Sequence, residues 1–306
     1  MSIPLVWLPF DPAELGTQPE GLRYEHVVPG ELDGPPNSVV EVEFYVPPYG
    51  FTEADGAVVP LMRSLKVVQT LTAGVEHIRP HVPEGVLLCN GRGIHDASTA
   101  ELAMTLMLAS LRGVPGFVRA QDAGRWAPGT RPALADSRVL IVGYGAVGAA
   151  LERRLDGFEV DVVRVARSAR EGVHGFRELP SLLPDADVVV LIVPLTDETH
   201  GMVDGAFLAR LRDGALLVNV ARGQVVDTDA LVAELLSGRI SAALDVTDPE
   251  PLARDHPLWA CPNVLVTPHV GGATTAMEPR AYALVRGQLA RFAAGEPLAN
   301  VMTGDY

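Results

Sequence analysis

The chain has 306 residues, 48% of them apolar and 20% charged, and a net charge of −14 at neutral pH. At roughly 150 residues per domain this is material for about two domains with sizeable cores. An acidic balance without any lysine or arginine run argues against nucleic acid or an anionic membrane as partner. The two cysteines, Cys89 and Cys261, sit at no metal or redox spacing, which suits a reduced, cytoplasmic protein and gives no metal site.

In chain order, MSIPLVWLPFDPAE is apolar but has no leading positive charge and is interrupted by Pro4 and Pro9. It predicts a buried first strand rather than a secretion signal. Strands are expected at 3–8, 40–45, 57–60, 66–70 and 86–89, each bounded by Gly, Pro or Asp. STAELAMTLMLASLRG at 98–113 predicts a long helix, capped by Ser98 or Thr99, with Glu101 in its first turn and Gly113 at its end. Its apolar faces suggest burial between domains or subunits, and residues 121–137 read as loop. From Arg138 onward come RVLIV, VDVVRVA, DVVVLIVP, ALLVNVA, ISAALDV and NVLVTP, continuous apolar runs as in strands buried on both faces of a parallel sheet. Even VVVLIVPL at 188–195 is far short of the ~18 residues a membrane span needs. A helix over 276–294 and a short tail close the chain. This alternation of strand and helix is the pattern of an α/β protein with parallel sheets.

The run GYGAVG places glycines at 143, 145 and 148 between the strand RVLIV and the helical AALERRL. Gly143 permits a tight turn, Gly145 a close approach of backbone to a pyrophosphate, and Gly148 close packing of helix on strand. The amides of Tyr144, Ala146 and Val147 complete the loop, whose helix N-terminus favours phosphate. A site for NAD would end the next strand with Asp or Glu, but here VDVVRVA ends at Ala166 and continues Arg167, Ser168, Ala169, Arg170. Asp161 stands at the strand's start, the wrong end. Two guanidinium groups and a hydroxyl, with no carboxylate to repel a 2′-phosphate, favour NADP(H), with NAD(H) possible as well.

Three further strand ends carry chemistry. His269 in NVLVTPHVGG, Glu250 in DVTDPEPL and Arg222 in NVARGQVVD each follow an apolar run. A carboxylate beside an imidazole orients it and favours the protonated form that a proton donor needs. An arginine fixed at a strand end can hold a carboxylate with two hydrogen bonds.

Together these motifs resemble the D-isomer-specific 2-hydroxyacid dehydrogenase family. The likeness covers nearly the whole chain: TLTAGVEHI (70–78), STAELAM (98–104), VGYGAVG (142–148), PLTDETHGMV (194–203), VNVARGQVVD (218–227), ALDVTDPEPL (243–252) and TPHVGG (267–272). It implies two Rossmann-like or flavodoxin-like doubly wound domains with a cleft between them. Residues 1–98 with 275–306 would form the substrate domain and residues 99–274 the dinucleotide-binding domain. By the same resemblance His269 is the acid/base, Glu250 its partner, and Arg222 the group that binds the substrate carboxylate and polarises its carbonyl. The amides of Ala73 and Gly74 form a second carboxylate cradle, Asp245 anchors the nicotinamide amide, and Thr99, Pro194 and Thr196 lie in cofactor-contacting motifs. The VARSAR strand end resembles that of the NADPH-using glyoxylate/hydroxypyruvate reductases of the family.

The implied reaction is reduction of a small 2-oxo acid to the D-2-hydroxy acid in a cytoplasmic homodimer, with Trp126 near the interface. Residues 45–55 and 90–96 are expected to shape the pocket, with Arg92 or His95 reaching a polar substrate tail. Three rivals share the core: a 3-phosphoglycerate dehydrogenase, many of which carry a regulatory extension that this sequence does not show; a formate dehydrogenase relative, with Gln at the place of Glu250; and a nucleotide-sensing corepressor, which binds cofactor and reduces small oxo acids poorly.

Overall fold

The computed structural model describes residues 3–303. The chain divides into two compact units, Met1–His95 with Thr275–Tyr306, and Asp96–Thr274.

The first unit is built on five parallel strands, β1 (Leu5–Leu8), β2 (Arg23–His26), β3 (Val42–Tyr45), β4 (Val67–Gln69) and β5 (Leu87–Cys89), in the order β2-β1-β3-β4-β5. That is the doubly wound order 2-1-3-4-5 of flavodoxin-like sheets. Successive residues of β1 serve opposite faces. Leu5 and Trp7 pack with Val39, Val59 and Ile78, whereas Val6 and Leu8 pack with Ala281, Val285 and Leu289. The last three belong to a helix, Met277–Ala294, that returns to this unit from the far end of the sequence. The tail after it follows: Val301 bridges Cys89 antiparallel, and the amide of Met302 donates to Leu88 O at 2.8 Å.

The second unit has seven parallel strands: β6 (Arg138–Val142), β7 (Asp161–Ala166), β8 (His174–Gly175), β9 (Val188–Leu191), β10 (Leu216–Asn219), β11 (Ser241–Leu244) and β12 (Val264–Val266). Their order, β12-β11-β10-β9-β6-β7-β8, is the Rossmann order with one strand added, reversing direction between β6 and β9. Val139 and Ile141 face a layer containing Ala100, Met104 and Met107, while Leu140 and Val142 face Phe207, Leu231 and Leu235. Both sides of the sheet are covered, which is why its strands read as continuous apolar runs.

Two sequence expectations are corrected, and one strand went unexpected. Residues 57–60 are not a strand. Thr52 and Asp55 form a capping box, with the Thr52 amide donating to Asp55 Oδ2 at 2.7 Å, and start a helix at Glu53–Ala57 that a 3-10 turn at Val59–Leu61 extends. The edge strand β2, RYEH, was hidden by its polarity, since a charged edge resists pairing with other chains. The long helix spans Asp96–Leu111, so Ser98 and Thr99 lie inside it and cap nothing; Ser98 Oγ instead meets Thr274 Oγ1 at 2.7 Å. Its buried residues pack inside the second unit. After it, at 65°, comes Val114–Asp122, a helix that overlaps the expected loop 121–137 only at its last two residues. Among the described residues no single helix is long and apolar enough to cross a membrane.

Candidate functional site

Because all seven strands of the second unit are parallel, their C-terminal ends share one edge, and the predicted residues line up along it in the order of the sheet. Arg167, Ser168 and Arg170 follow β7, the glycine loop follows β6, and Pro194 and Thr196 follow β9. Arg222 follows β10, Asp245 and Glu250 follow β11, and His269 follows β12.

The three glycines differ in what they permit. A Cβ on Gly143, whose φ is +110°, would lie 2.3 Å from Ile192 O, and one on Gly148 would lie 2.7 Å from Gly143 O. These two are packing glycines. A Cβ on Gly145 would meet nothing within 4 Å. Open space therefore lies beside the glycine from which the helix Ala146–Leu155 departs, and the first amides of that helix lack intrahelical acceptors. The loop fits a dinucleotide phosphate.

Tyr144 joins this loop to β7. Its hydroxyl donates to Glu152, which also takes two hydrogen bonds from Arg164, and the guanidinium carbons of Arg164 and Arg170 lie 5.7 Å and 5.9 Å from the Tyr144 ring centroid. Arg170 Nη2 also donates to Tyr144 O at 2.7 Å, which aims this guanidinium at the loop. The Arg164 guanidinium, and next the Tyr144 hydroxyl, hold the Glu152 carboxyl below the usual carboxylate range. The hydrogen bond to Glu152 in turn pushes the Tyr144 hydroxyl upward. Arg167 and Ser168 are exposed beyond the strand end. Glu152 and Arg164 were absent from the sequence reading; the pair joins a helix to a neighbouring strand, and no motif spacing marks it.

At the other end of the edge, His269 Nδ1 lies 2.5 Å from Glu250 Oε1, with both side chains close to half exposed. If Nδ1–H is donated to the carboxylate, Nε2 is the nitrogen left for chemistry. His269 adopts φ +53°, a left-handed conformation costing a non-glycine residue about 1–2 kcal/mol. The surrounding contacts impose it. The His269 amide donates to Asp245 O at 2.7 Å, and the buried Asp245 carboxylate accepts from Thr267 Oγ1 at 2.6 Å, Val270 N at 2.9 Å and Gly271 N at 2.9 Å. Asp245 thus clamps the loop that carries the histidine. Thr99, one turn into its helix, donates to Gly271 O at 3.4 Å, a long contact with the same loop.

Arg222 is fixed by its neighbours. Buried Asn219 donates from Nδ2 to Arg222 O at 3.0 Å and accepts from Ala221 N, while Arg222 Nη1 donates to Ala221 O at 2.7 Å. A Cβ on Gly223 would come within 1.9 Å of Thr247 O, so the loops carrying Arg222 and Glu250 are packed backbone to backbone. Pro194 and Thr196 belong to a turn closed by Thr199, whose Oγ1 donates to Pro194 O at 2.6 Å and accepts from Thr196 N.

In the first unit, Ala73 and Gly74 lie in the loop after β4, at the C-terminal edge of that sheet. Among the described residues, neither amide N–H is taken by a protein acceptor, although Gly74 is buried. His95 is buried, bonded through Nε2 to Leu71 O at 2.8 Å, and packs against the Tyr49 ring. Its bonded nitrogen holds this loop and reaches for no substrate tail.

Residues 104–271 match the family model described as D-isomer specific 2-hydroxyacid dehydrogenase, NAD binding domain. A glyoxylate reductase from Thermofilum pendens is 33% identical over 259 residues, covering 79% of this chain and 76% of that protein. Among solved structures, a D-isomer specific 2-hydroxyacid dehydrogenase from Xanthobacter autotrophicus, in complex with NADPH and MES, is 33% identical with a TM-score of 0.81, over 99% of this chain and 98% of that one. An NADPH-dependent glyoxylate/hydroxypyruvate reductase from Sinorhizobium meliloti, in complex with NADP and sulfate, is 27% identical with a TM-score of 0.83, over 98% of each chain.

Proposed function

This chain belongs to the D-isomer specific 2-hydroxyacid dehydrogenase family and is an oxidoreductase with a nicotinamide cofactor; from that premise we propose that it reduces a small 2-oxo acid, glyoxylate or hydroxypyruvate in kind, to the D-2-hydroxy acid using NADPH. The observation that carries the chemistry is the contact between His269 and Glu250 on the ends of the neighbouring strands β12 and β11, the second of which adjoins β10, whose end presents Arg222.

The bound cofactor would be held by the 143–148 loop, by Pro194 and Thr196, and by Thr99 and Asp245, and it supplies the hydride. Arg222 binds the substrate carboxylate and draws electron density toward the carbonyl oxygen, and the Ala73 and Gly74 amides offer further donors to a carboxylate. His269, held at Nδ1 by Glu250, releases the Nε2 proton to the carbonyl oxygen as it becomes a hydroxyl. The positive charge of Arg222 and the imidazolium stabilises the oxyanion forming there. Preference for NADPH rests on Arg167, Ser168 and Arg170, with Arg170 aimed at the loop by Tyr144. Support for a homodimer comes from Val114, Phe117, Val118 and Trp126, exposed apolar side chains of one neighbourhood, Trp126 at 95%. A cytoplasmic location accords with two cysteines that are both free.

A panel of glyoxylate, hydroxypyruvate, pyruvate and longer or aromatic oxo acids, assayed with NADPH and with NADH, tests the reading. The short acids with NADPH should give the highest kcat/KM. A protein that binds NADPH and turns over none of them would be a nucleotide sensor instead.

A further inference from the structure

The cradle at Ala73 and Gly74 has no helix to aim its amides, and its orientation comes from elsewhere. A peptide unit is planar and trans, so a carbonyl and the following N–H point in opposite directions. Whatever grips Thr72 O therefore aims the Ala73 N–H, and whatever grips Ala73 O aims the Gly74 N–H. Thr72 O accepts from Gly91 N at 2.7 Å and from Thr70 Oγ1 at 2.8 Å, and Ala73 O accepts from Asn90 Nδ2 at 3.0 Å. On either side, Leu71 O is bonded to His95 Nε2 at 2.8 Å, and Gly74 O accepts from Thr72 Oγ1 at 2.6 Å. The turn 90–95 thus holds three consecutive carbonyls of the loop.

That turn is itself held from the end of the chain. Asn90 N donates to Asn300 O at 3.1 Å, and Asn300 Nδ2 donates to Arg92 O at 2.9 Å and Asn90 O at 3.4 Å. Asn90 O also accepts from the buried Gln69, whose Oε1 takes a bond from the buried Gln288 at 2.7 Å. Gln288 fixes the tail in turn, with Nε2 donating to Ala299 O and Oε1 accepting from Ala299 N. Asn300 adopts φ +56°, the left-handed region in which asparagine is tolerated. Each of these buried polar side chains has a partner, and the path ends at two amides without one. An N–H of a buried residue such as Gly74 is rarely left unpaired, so it offers a donor to water or to a ligand.

We propose that Asn90 is a positioning residue for the substrate carboxylate, aiming the Gly74 N–H through Ala73 O, and that the C-terminal tail acts on the same amide through Asn300. This rests on the reading of the Ala73 and Gly74 amides as a carboxylate cradle. An amide turned away from a carboxylate loses a charge-assisted hydrogen bond, while proton transfer by His269 is untouched.

The test compares wild type with Asn90→Ala and Asn300→Gly; the glycine keeps the left-handed backbone and removes only the side-chain donors. For Asn90→Ala the oxo-acid KM should rise about tenfold, with kcat changed by less than about threefold and the NADPH KM unaltered. Asn300→Gly should move the oxo-acid KM in the same direction by about twofold to threefold. Residue-resolved amide exchange supplies a readout without turnover: the buried Gly74 amide should exchange faster in both variants while Val139–Val142 in β6 stays protected. An unchanged oxo-acid KM in an active Asn90→Ala, or a parallel rise in both KM values, overturns the proposal, as does unchanged exchange at Gly74. If Asn90→Ala does not fold, Asn300→Gly decides by the same criteria. If wild type reduces no oxo acid, the functional reading fails separately, and the exchange arm still decides whether Asn90 and Asn300 aim the amide.

Discussion

The glycine loop of the second unit and the cradle of the first both offer backbone N–H groups to an anion, yet they are built in opposite ways. At residues 143–148 the donors are aimed by the helix that starts there, and the sequence has only to keep side chains out of the way. At residues 70–74 the donors are aimed by Asn90, Gly91, Thr70 and His95, with Asn300 and Gln288 behind them. A helix terminus is a local device; a cradle of this kind depends on atoms more than 200 residues away in sequence, as the contact between Asn90 and Asn300 shows. The first should tolerate remote substitutions and the second should not.

The sharpest contrast concerns chemistry against binding. His269→Ala should lower kcat by about 10²–10⁴-fold with little change in either KM, because it removes a proton donor and no anchor. Arg222→Ala should raise the oxo-acid KM as well. Steady-state kinetics on both variants checks this, and near wild-type kcat/KM in either would break the assignment of that residue.

Cofactor choice should respond to the second unit alone. Wild type should prefer NADPH over NADH by about 100-fold, since charge-assisted contacts are worth about 1.5–3 kcal/mol each before screening by salt. Ala166→Asp with Arg167→Leu should abolish or reverse that ratio. The kcat/KM values for both cofactors at one ionic strength give the answer, and the oxo-acid KM should stay where it was.

Two glycines allow the regions to be separated directly. A Cβ on Gly145 meets nothing within 4 Å among the described residues, so Gly145→Ala should fold and raise the cofactor KM by about tenfold through lost phosphate contact. A Cβ on Gly91 would lie 2.5 Å from Leu71 O and 2.9 Å from Thr72 O, so Gly91→Ala should displace the cradle and raise the oxo-acid KM instead. If the two variants shift the same KM, the division of labour is wrong.

The smallest effect concerns acid. Glu152 is held below the usual carboxylate range by Arg164 and then Tyr144, so its contribution to stability is present above the unfolded value near 4.5 and fades as pH falls through the lower folded value. The pair is partly exposed, which limits the effect through solvent screening. Urea midpoints of wild type and Glu152→Gln should differ at about pH 7 and draw together as pH falls below the ordinary carboxylate range. A difference that grew on acidification would contradict it.

The sequence by itself determined the second unit almost completely: six of its strands, its glycine loop, and the strand ends that carry Arg222, Glu250 and His269. The reason is physical. Strands buried on both faces must be continuous apolar runs, and a parallel sheet puts every strand end on one edge, so short-range pattern and site coincide. The charged edge strand at Arg23–His26 lacked that signal, and the apolar stretch 57–60 showed it while a capping box made it helical. Only the tertiary structure decided that Asp245 clamps the His269 loop, that Glu152 joins Tyr144 to Arg164, and that the tail returns to Asn90. Each of these is a hydrogen bond between side chain or backbone groups far apart in the chain, set by where packing leaves a buried polar atom in need of a partner, and no periodicity or motif spacing records it.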